Sequence, residues 1–350
     1  MKPTLFIIAA ACAALAACTK GTEVPNNTGL QTARVTLSFG NLAKDAIQTA
    51  DEAKVSRIQV FVFKGDGLDA YKDASAVELK SGKIELTCTR GLRNIWVVAN
   101  APDLSSITSE SALKERVTGM TEDNTADNFV MVGKADNEEI TAIYSKTVDV
   151  DRIVSRIRLF GIKRDMSSSP LAQLPFEVTR VFLTNAVDNA CYDIYTPVLP
   201  PETVLLNKVG DKIATANPFV YDPARTPAEL TDGNVYGKPY GDSGDPATHT
   251  FYSYPDPEGR VKLVIEVKMD GKFYTYPVPI GITGANKTYD IKLVTLTKSG
   301  NPSDGDDEIS AGENEDIEPA AATFSVTVND WTPVLTFSGE NGVVDGNITI

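Results

Sequence analysis

The clearest structural pattern in the sequence is the stretch RVKLVIEVKMDGKFYTYPVPI, residues 260–280. Apolar side chains occupy alternate positions from Val261 to Met269, which predicts a strand that buries one face. Asp270-Gly271 then supplies the positive φ angles that a two-residue hairpin turn requires. We therefore expect residues 272–280 to run back antiparallel to the first strand of the hairpin.

Similar strand patterns recur along the chain, separated by turn residues. They predict strands at 33–39, 55–63, 83–88, 94–100, 129–132, 140–148, 176–184, 192–195, 203–209, 289–297 and 324–328. One short helix is expected within residues 103–118, where apolar residues have a loose helical spacing. Many short strands without alternating helices predict an all-β fold of two tandem antiparallel β-sandwich domains. We expect an amino-terminal domain of residues 55–148, completed by strand 33–39, and a carboxyl-terminal domain of residues 149–350.

The first eighteen residues have the three-part layout of an export signal. Lys2 supplies a positive charge, and residues 5–17 form an apolar run that is too short to span a bilayer. Leu15-Ala16-Ala17-Cys18 closes this run. Cleavage between Ala17 and Cys18 would leave the Cys18 thiol free to take up a lipid. The sequence therefore predicts a lipoprotein with a signal peptide at 1–17. Residues 18–54 would hold the lipid tether, the first strand and a loop.

The composition excludes several classes of function. The net charge of −14 argues against nucleic acid as a partner, because such binding rewards clustered Lys and Arg. His249 is the only histidine, and no Cys or His cluster has metal-ligand spacing. We therefore predict neither an enzyme nor a cofactor. Residues 301–318 carry eight acidic side chains and are interpreted as a solvated loop, because the spaced ligands of a calcium loop are missing.

Two further groups of residues are interpreted structurally. Cys12 leaves with the signal peptide, and Cys88 and Cys191 are expected to be two separate buried thiols. A disulfide between them is the alternative. Arg152, Arg156 and Arg158 alternate along a predicted strand, and we expect them at a solvated strand edge or paired with the acidic surface.

Several ordered motifs resemble landmarks of the fimbrillin family, the lipoprotein-derived (type V) pilins of Bacteroidales. They are KVSRIQVFVF at 54–63, RGLR at 90–93 with IWVVANA at 95–101, RIVSRI at 152–157, NKTYDIKL at 286–293 and VTVNDW at 326–331. The resemblance implies transthyretin-like β-sandwich domains and a subunit of a surface fimbrium that supports adhesion. It also implies a place at the outer membrane and cell surface.

The resemblance further implies assembly by exchange of a strand. A trypsin-like surface protease cuts the loop after the first strand, that strand leaves with the lipid, and a carboxyl-terminal strand of another copy fills the groove. In this chain the strand to be removed would bury Val35, Leu37 and Phe39. The candidate donor residues are Phe324, Val326, Val328, Val334, Leu335, Phe337, Val344, Ile348 and Ile350.

The loop after the first strand departs from the family pattern, in which the cut usually follows an Arg. Residues 41–53 contain no Arg, and Lys44 is their only basic residue. Cleavage between Lys44 and Asp45 is therefore one expectation. The alternative is a subunit that is not cut and stays lipid-bound as an anchor.

Three functional hypotheses remain open at the level of sequence. The first is a structural pilin whose partners are copies of itself, accessory fimbrial subunits, the protease, the outer membrane through Cys18, and a receptor on a host or bacterial surface. The second is an accessory anchor or tip adhesin of the same kind of fimbrium. The third is a glycan-binding surface lipoprotein, which exposed aromatic residues within 236–254 would support.

Overall fold

The structure is a computed structural model. It describes residues 31–39, 50–120, 127–167, 169–196, 199–238, 240, 246–316, 322–331 and 336–337. Within these ranges no helix is long and apolar enough to cross a membrane.

Short strands dominate the first half of the chain. In chain order they are β1 (Thr32–Ser38), β2 (Lys54–Val55), β3 (Ile58–Lys64), β4 (Gly67–Asp73), β5 (Lys83–Thr89), β6 (Gly91–Ala99), β7 (Val117–Gly119), β8 (Met131–Ile140), β9 (Ile143–Thr147) and β10 (Asp151–Arg152). A 3-10 turn at Ala50–Ala53 precedes β2. The helices here are α1 (Ala76–Ser81) and α2 (Glu110–Lys114).

The second half continues in the same way. Its strands are β11 (Ser155–Leu159), β12 (Gly161–Arg164), β13 (Phe176–Thr184), β14 (Ala186–Val187), β15 (Asn189–Cys191), β16 (Leu205–Leu206), β17 (Tyr221–Glu229), β18 (Val235–Gly237), β19 (His249–Ser253), β20 (Lys262–Met269), β21 (Lys272–Pro279), β22 (Lys287–Ile291), β23 (Val294–Leu296), β24 (Asn301–Ser303), β25 (Ala322–Thr323), β26 (Val326–Asp330) and β27 (Thr336–Phe337). A 3-10 turn at Pro170–Gln173 and α3 (Ala311–Asn314) complete the described elements.

The first two sheets have the strand orders β5-β1-β9 and β10-β8-β6-β3-β4. They share a core cluster that includes Leu37 of β1 and Val60 and Val62 of β3. The alternate side chains of β3, Phe61 and Phe63, belong to a second and larger cluster. β3 therefore buries both faces, as its uninterrupted apolar sequence predicts.

The second half of the chain packs three further sheets around the larger cluster. Their orders are β17-β13-β20-β21-β24, β19-β11-β22-β26 and β18-β12-β23-β25. Leu263 and Ile265 of β20 and Ile157 of β11 all belong to this core. Asp270 and Gly271 have φ angles of 49° and 77°, so the hairpin at 260–280 is confirmed with its turn. The predicted all-β sandwich fold is confirmed.

Several details of the fold differ from the sequence prediction. Residues 192–195, expected as a strand, form a bend and a turn, and the expected strand at 203–209 is reduced to β16. The expected helix is α2, but α1 was not predicted, although Ser75 and Glu78 form a capping box at its start. The sheets are also mixed, since β1·β9, β11·β22, β12·β23 and β2·β27 pair in parallel. Alternation of apolar residues predicts which face of a strand is buried, but not the direction of its neighbour.

Candidate functional site

The first strand, β1, lies in the middle of its sheet. It pairs with β5 in antiparallel register over seven residues and with β9 in parallel register over five. Ala33, Val35, Leu37 and Phe39 are at most 4% exposed. Val35, Leu37 and Phe39 are thus buried, as the alternating pattern predicts, whereas removal of the strand stays a prediction. Phe39 itself follows the last residue of β1.

The surroundings of β1 would form a groove if the strand were absent. Ile84 and Leu86 of β5 and Ile140, at the end of β8, belong to the same core cluster as β1. Both β5 and β9 would then present unpaired backbone groups, which template the addition of another strand. Each large apolar side chain of β1 is worth about 1.5–3 kcal/mol when buried. The site can therefore hold an extended apolar segment with alternating side chains.

Polar contacts hold the outward face of β1. Arg34 forms an ion pair with Glu85, and Ser38 Oγ lies 3.0 Å from Thr147 Oγ1. At the start of the strand, Arg90 donates from Nε to the Thr32 carbonyl at 3.0 Å. These contacts are exposed, so each adds little to the stability. The apolar face and the two backbone ladders therefore dominate the binding of β1.

Cys88 lies beside the first strand. In the antiparallel register it is the partner of Ala33, and it is 4% exposed. Burial raises the pKa of the Cys88 thiol to about 11, with the nearby Asp69 carboxylate as a second cause. Cys191 lies on β15, which pairs with β7, and is also free and buried. The prediction of two separate buried thiols is confirmed.

The carboxyl-terminal candidates are only partly described. Phe324 and Val326 pack against the main core, and Val328 is 55% exposed on β26, which is an edge strand paired with β22. Trp331 follows at 1% exposure. Residues 326–330 therefore belong to the chain's own sheet, and Phe324 packs against its core.

The other predicted site residues lie outside the described residues. They are Ala17, Cys18, Lys44, Asp45, Val334, Leu335, Val344, Ile348 and Ile350. Phe337 lies in β27, whose backbone alone is described.

The arginines at 152, 156 and 158 correct one prediction. They are at most 4% exposed, rather than at a solvated strand edge. Arg158 forms a bidentate ion pair with Asp290, with both distances at 2.7 Å. Arg156 donates to Glu52 at 2.6 Å. Glu52 lies in the loop of residues 41–53 that the sequence predicts after the first strand, and nothing in the local pattern singles it out.

The remaining candidates for chemistry have structural roles. His249 is 1% exposed, with Nδ1 2.9 Å from Asp222 Oδ2 and Nε2 3.1 Å from Tyr236 Oη. Tyr252 and Tyr254 are buried and Tyr236 and Tyr240 are half-buried, so none of these four rings is a fully exposed platform for a sugar ring. Among the described residues, no group of three or more His, Cys, Asp or Glu side chains could hold a metal ion.

Most described carboxylates of the acidic segment are exposed, as its interpretation as a solvated loop predicts, but part of the segment is built into the fold. Ile309 and Glu313 are 1% exposed, and Ile309 packs on Val264 of β20. Arg180 pairs with Glu266 at 2.7 Å and with Asp307 at 2.9 Å. The segment therefore covers the outer face of the β20 sheet.

Glu313 should make stability depend on pH. Burial raises the pKa of this carboxyl to about 7. Among the smaller causes, the positive charge of Arg180 lowers this pKa and the negative charge of Glu266 raises it. A raised pKa stabilises the fold while the proton stays bound. This contribution is complete below the unfolded value of about 4.3 and is lost as the pH rises through 7. We expect Glu313→Gln to raise the melting temperature relative to wild type at pH 8 more than at pH 5. An equal difference at both pH values would contradict this assignment.

Comparisons with known proteins agree with this architecture. Residues 33–180 match the family model described as "Major fimbrial subunit protein (FimA)". The chain is 25% identical over 277 residues to the major fimbrium subunit FimA type-2 of Porphyromonas gingivalis, covering 72% of this chain and 67% of that one. It is 24% identical over 275 residues to the type-3 subunit of the same organism, covering 71% and 66%.

A solved structure extends the agreement to the fold. The crystal structure of a fimbrilin from Porphyromonas gingivalis W83 superposes with a TM-score of 0.60 at 16% identity, covering 86% of this chain and 98% of that one. The range of the family model, residues 33–180, includes β5, β9 and all of β1 except Thr32. The resemblance to the fimbrillin family, first inferred from the ordered sequence motifs, is thereby confirmed.

Proposed function

We propose that this protein is a structural subunit of a surface fimbrium that polymerises by exchange of β1. After proteolysis β1 leaves, and a carboxyl-terminal strand of a second copy takes its place between β5 and β9. The observation that carries the proposal is the position of β1, paired on both edges and buried on one face. The similarity to major fimbrium subunits supports the fimbrial role.

The finer steps belong to the same proposal. Cys18 carries a lipid that holds the exported chain at the outer membrane, and a trypsin-like protease cuts between Lys44 and Asp45. The domain of residues 55–148 accepts the donated strand, and the domain of residues 149–350 provides it. Copies of the chain and accessory subunits are its partners, and a receptor on another surface is contacted by the filament.

The donor segment is assigned to the chain beyond Trp331. Because β26 pairs with β22 and Trp331 is buried, residues 324–331 are engaged in their own subunit. Val344, Gly346, Ile348 and Ile350 occupy every second position and share one face if extended. Their spacing matches that of the buried residues of β1, so they can fill the same row of positions.

The thiol of Cys88 gives a direct test of strand removal. In the uncut protein we expect less than about 10% labelling by a maleimide, because the thiol is buried and its pKa is raised. Once β1 is removed, Cys88 should be labelled nearly completely. In assembled filaments it should be protected again by the donated strand. The measurement is the mass of the labelled protein in each state.

Cys191 serves as the internal control for this test. It is buried on β15, which is in a different sheet from β1, and should stay unlabelled in every state. Labelling of both thiols would indicate general unfolding, and protection of Cys88 after loss of β1 would contradict an open groove.

An anchor subunit is the second candidate, favoured by the lack of Arg in residues 41–53. The two roles differ in the amino-terminal residue found within filaments. For a polymerising subunit we expect Asp45, or another start between residues 40 and 55. Lys44→Ala should then reduce the processed fraction at least about tenfold, because a trypsin-like enzyme needs a basic residue before the cut. The measurement is amino-terminal sequencing of sheared filaments.

Lys44→Arg is the matched control, since it keeps the positive charge and should be cut at least as well as the wild type. A lipidated Cys18 at the amino terminus within filaments would instead support the anchor. Absence of the protein from filaments would contradict both roles.

A further inference from the structure

A buried polar cluster joins Glu52, at the end of the loop after β1, to Trp331, where the carboxyl-terminal segment begins. Glu52 is 2% exposed and accepts hydrogen bonds from Arg156 Nη1 and Tyr252 Oη, each at 2.6 Å. Its backbone carbonyl accepts from Arg152 Nε at 3.0 Å. Glu52 therefore meets residues that follow it by 100 to 200 positions in the chain.

The same two arginines hold Trp331. The guanidinium carbons of Arg152 and Arg156 lie 4.3 Å and 4.4 Å from the centre of the Trp331 ring. Phe129 and Tyr252 also contact this ring. Cation–π contacts gain strength in a desolvated site, and Trp is the best ring for them. Trp331 is therefore fixed at the end of β26.

A strand pair extends this contact further along the chain. β2 pairs in parallel with β27, with Lys54 opposite Thr336 and Val55 opposite Phe337. Thus two successive points of the carboxyl-terminal segment, Trp331 and β27, are held by residues 50–55 and their partners. Both points precede the proposed donor residues in the chain.

We propose that Glu52, Arg152, Arg156 and Trp331, together with β2·β27, anchor the donor segment in its own subunit while its later residues occupy a second copy. This inference rests on the proposed function. In a filament joined by donated strands, tension passes from each donated strand to the sheet that precedes it. Without a fixed point, such tension would peel the edge strand β26 from β22. The anchor places that load on Trp331 and β27 instead.

A cross-link between β2 and β27 tests whether the anchor persists in the filament. Lys54→Cys with Thr336→Cys, in a Cys88→Ala background, places two thiols on register partners, at a separation that a disulfide can span. We expect the oxidised protein to be processed and to assemble at the wild-type rate. Failure of the oxidised protein to assemble, with assembly restored by a reductant, would overturn the anchor.

A weakened anchor provides the complementary measurement. Trp331→Leu keeps an apolar side chain but loses both cation–π contacts, so its filaments should dissociate in denaturant about tenfold faster than wild type. The Lys54–Thr336 cross-link should restore the wild-type rate. Val328→Ala, at an exposed position on the preceding strand, is the matched control and should change nothing.

The outcomes separate the anchor from the proposed function. Binding of a synthetic peptide of residues 344–350 to subunits without β1 should be the same for Trp331→Leu and wild type, because Trp331 belongs to the larger core cluster and not to the cluster that surrounds β1. Wild-type dissociation rates for Trp331→Leu filaments would overturn the anchor alone. Failure of cut wild-type subunits to bind the peptide or to form filaments would overturn the proposed function, and the anchor with it.

Discussion

Replacing Ala33 with cysteine is expected to abolish assembly under oxidising conditions. Ala33 and Cys88 are register partners in β1 and β5, and paired antiparallel strands have Cα separations of about 4.5–5.5 Å, within disulfide range. The new bond would tie β1 to the groove even after the loop is cut. Because no donated strand could enter, filament formation should fall from complete to undetectable.

The measurement is filament formation after complete processing, with and without a reductant. Reduction should restore assembly, which distinguishes a trapped strand from a misfolded subunit. Ala33→Ser is the matched control, since it places a small side chain at the same position without a thiol and should assemble in both conditions. Assembly of the oxidised Ala33→Cys protein would show that β1 need not leave the groove.

This prediction depends on a register that the sequence alone does not give. Alternation of Val35 and Leu37 with polar residues predicts that β1 buries one face, and that is what the structure contains. Its neighbours are β5, which follows by about fifty residues, and β9, which runs parallel to it. Local patterns predict which face of a strand is buried. Which strands become its neighbours depends on the arrangement of the whole sheet.

The hairpin at 260–280 shows what local chemistry can specify. Asp270-Gly271 favours one tight turn, and the alternation on either side then sets the register of β20 and β21. The burial of the opposite face of β20 could not be predicted from the local sequence in the same way. Val264 and Glu266 are buried there because distant segments, including Ile309, cover them.

Glu52 is the candidate that sequence reasoning could not have found. It is a single carboxylate in a short 3-10 turn, without periodicity or a motif. Its role arises from Arg152, Arg156 and Tyr252, which reach it only when the sheets have assembled. Buried charges need charged or hydrogen-bonded partners, but that rule does not identify the partners from sequence.

Replacing Glu52 with glutamine is expected to destabilise the uncut protein by about 3–5 kcal/mol, as for other buried pairs that lose one partner. Burial lowers the pKa of Arg152 to about 9, and the charge of Glu52 opposes that shift. Without the carboxylate, Arg152 and Arg156 would remain buried beside each other with less compensation. Glutamine keeps the size of the side chain, so the loss would come from charge rather than packing. The measurement is the free energy of unfolding in urea.

Asp73→Asn is the matched control, because it removes an equivalent charge from an exposed pair with Arg57. Exposed ion pairs contribute up to about 1 kcal/mol, so this change should be much smaller. Equal effects of the two substitutions would mean that Glu52 does not compensate the arginines. A large effect confined to Glu52→Gln would show that the stability of the subunit depends on the buried cluster of Glu52 with Arg152 and Arg156. The segment that processing leaves at the amino terminus would then be part of what holds the carboxyl-terminal segment in place.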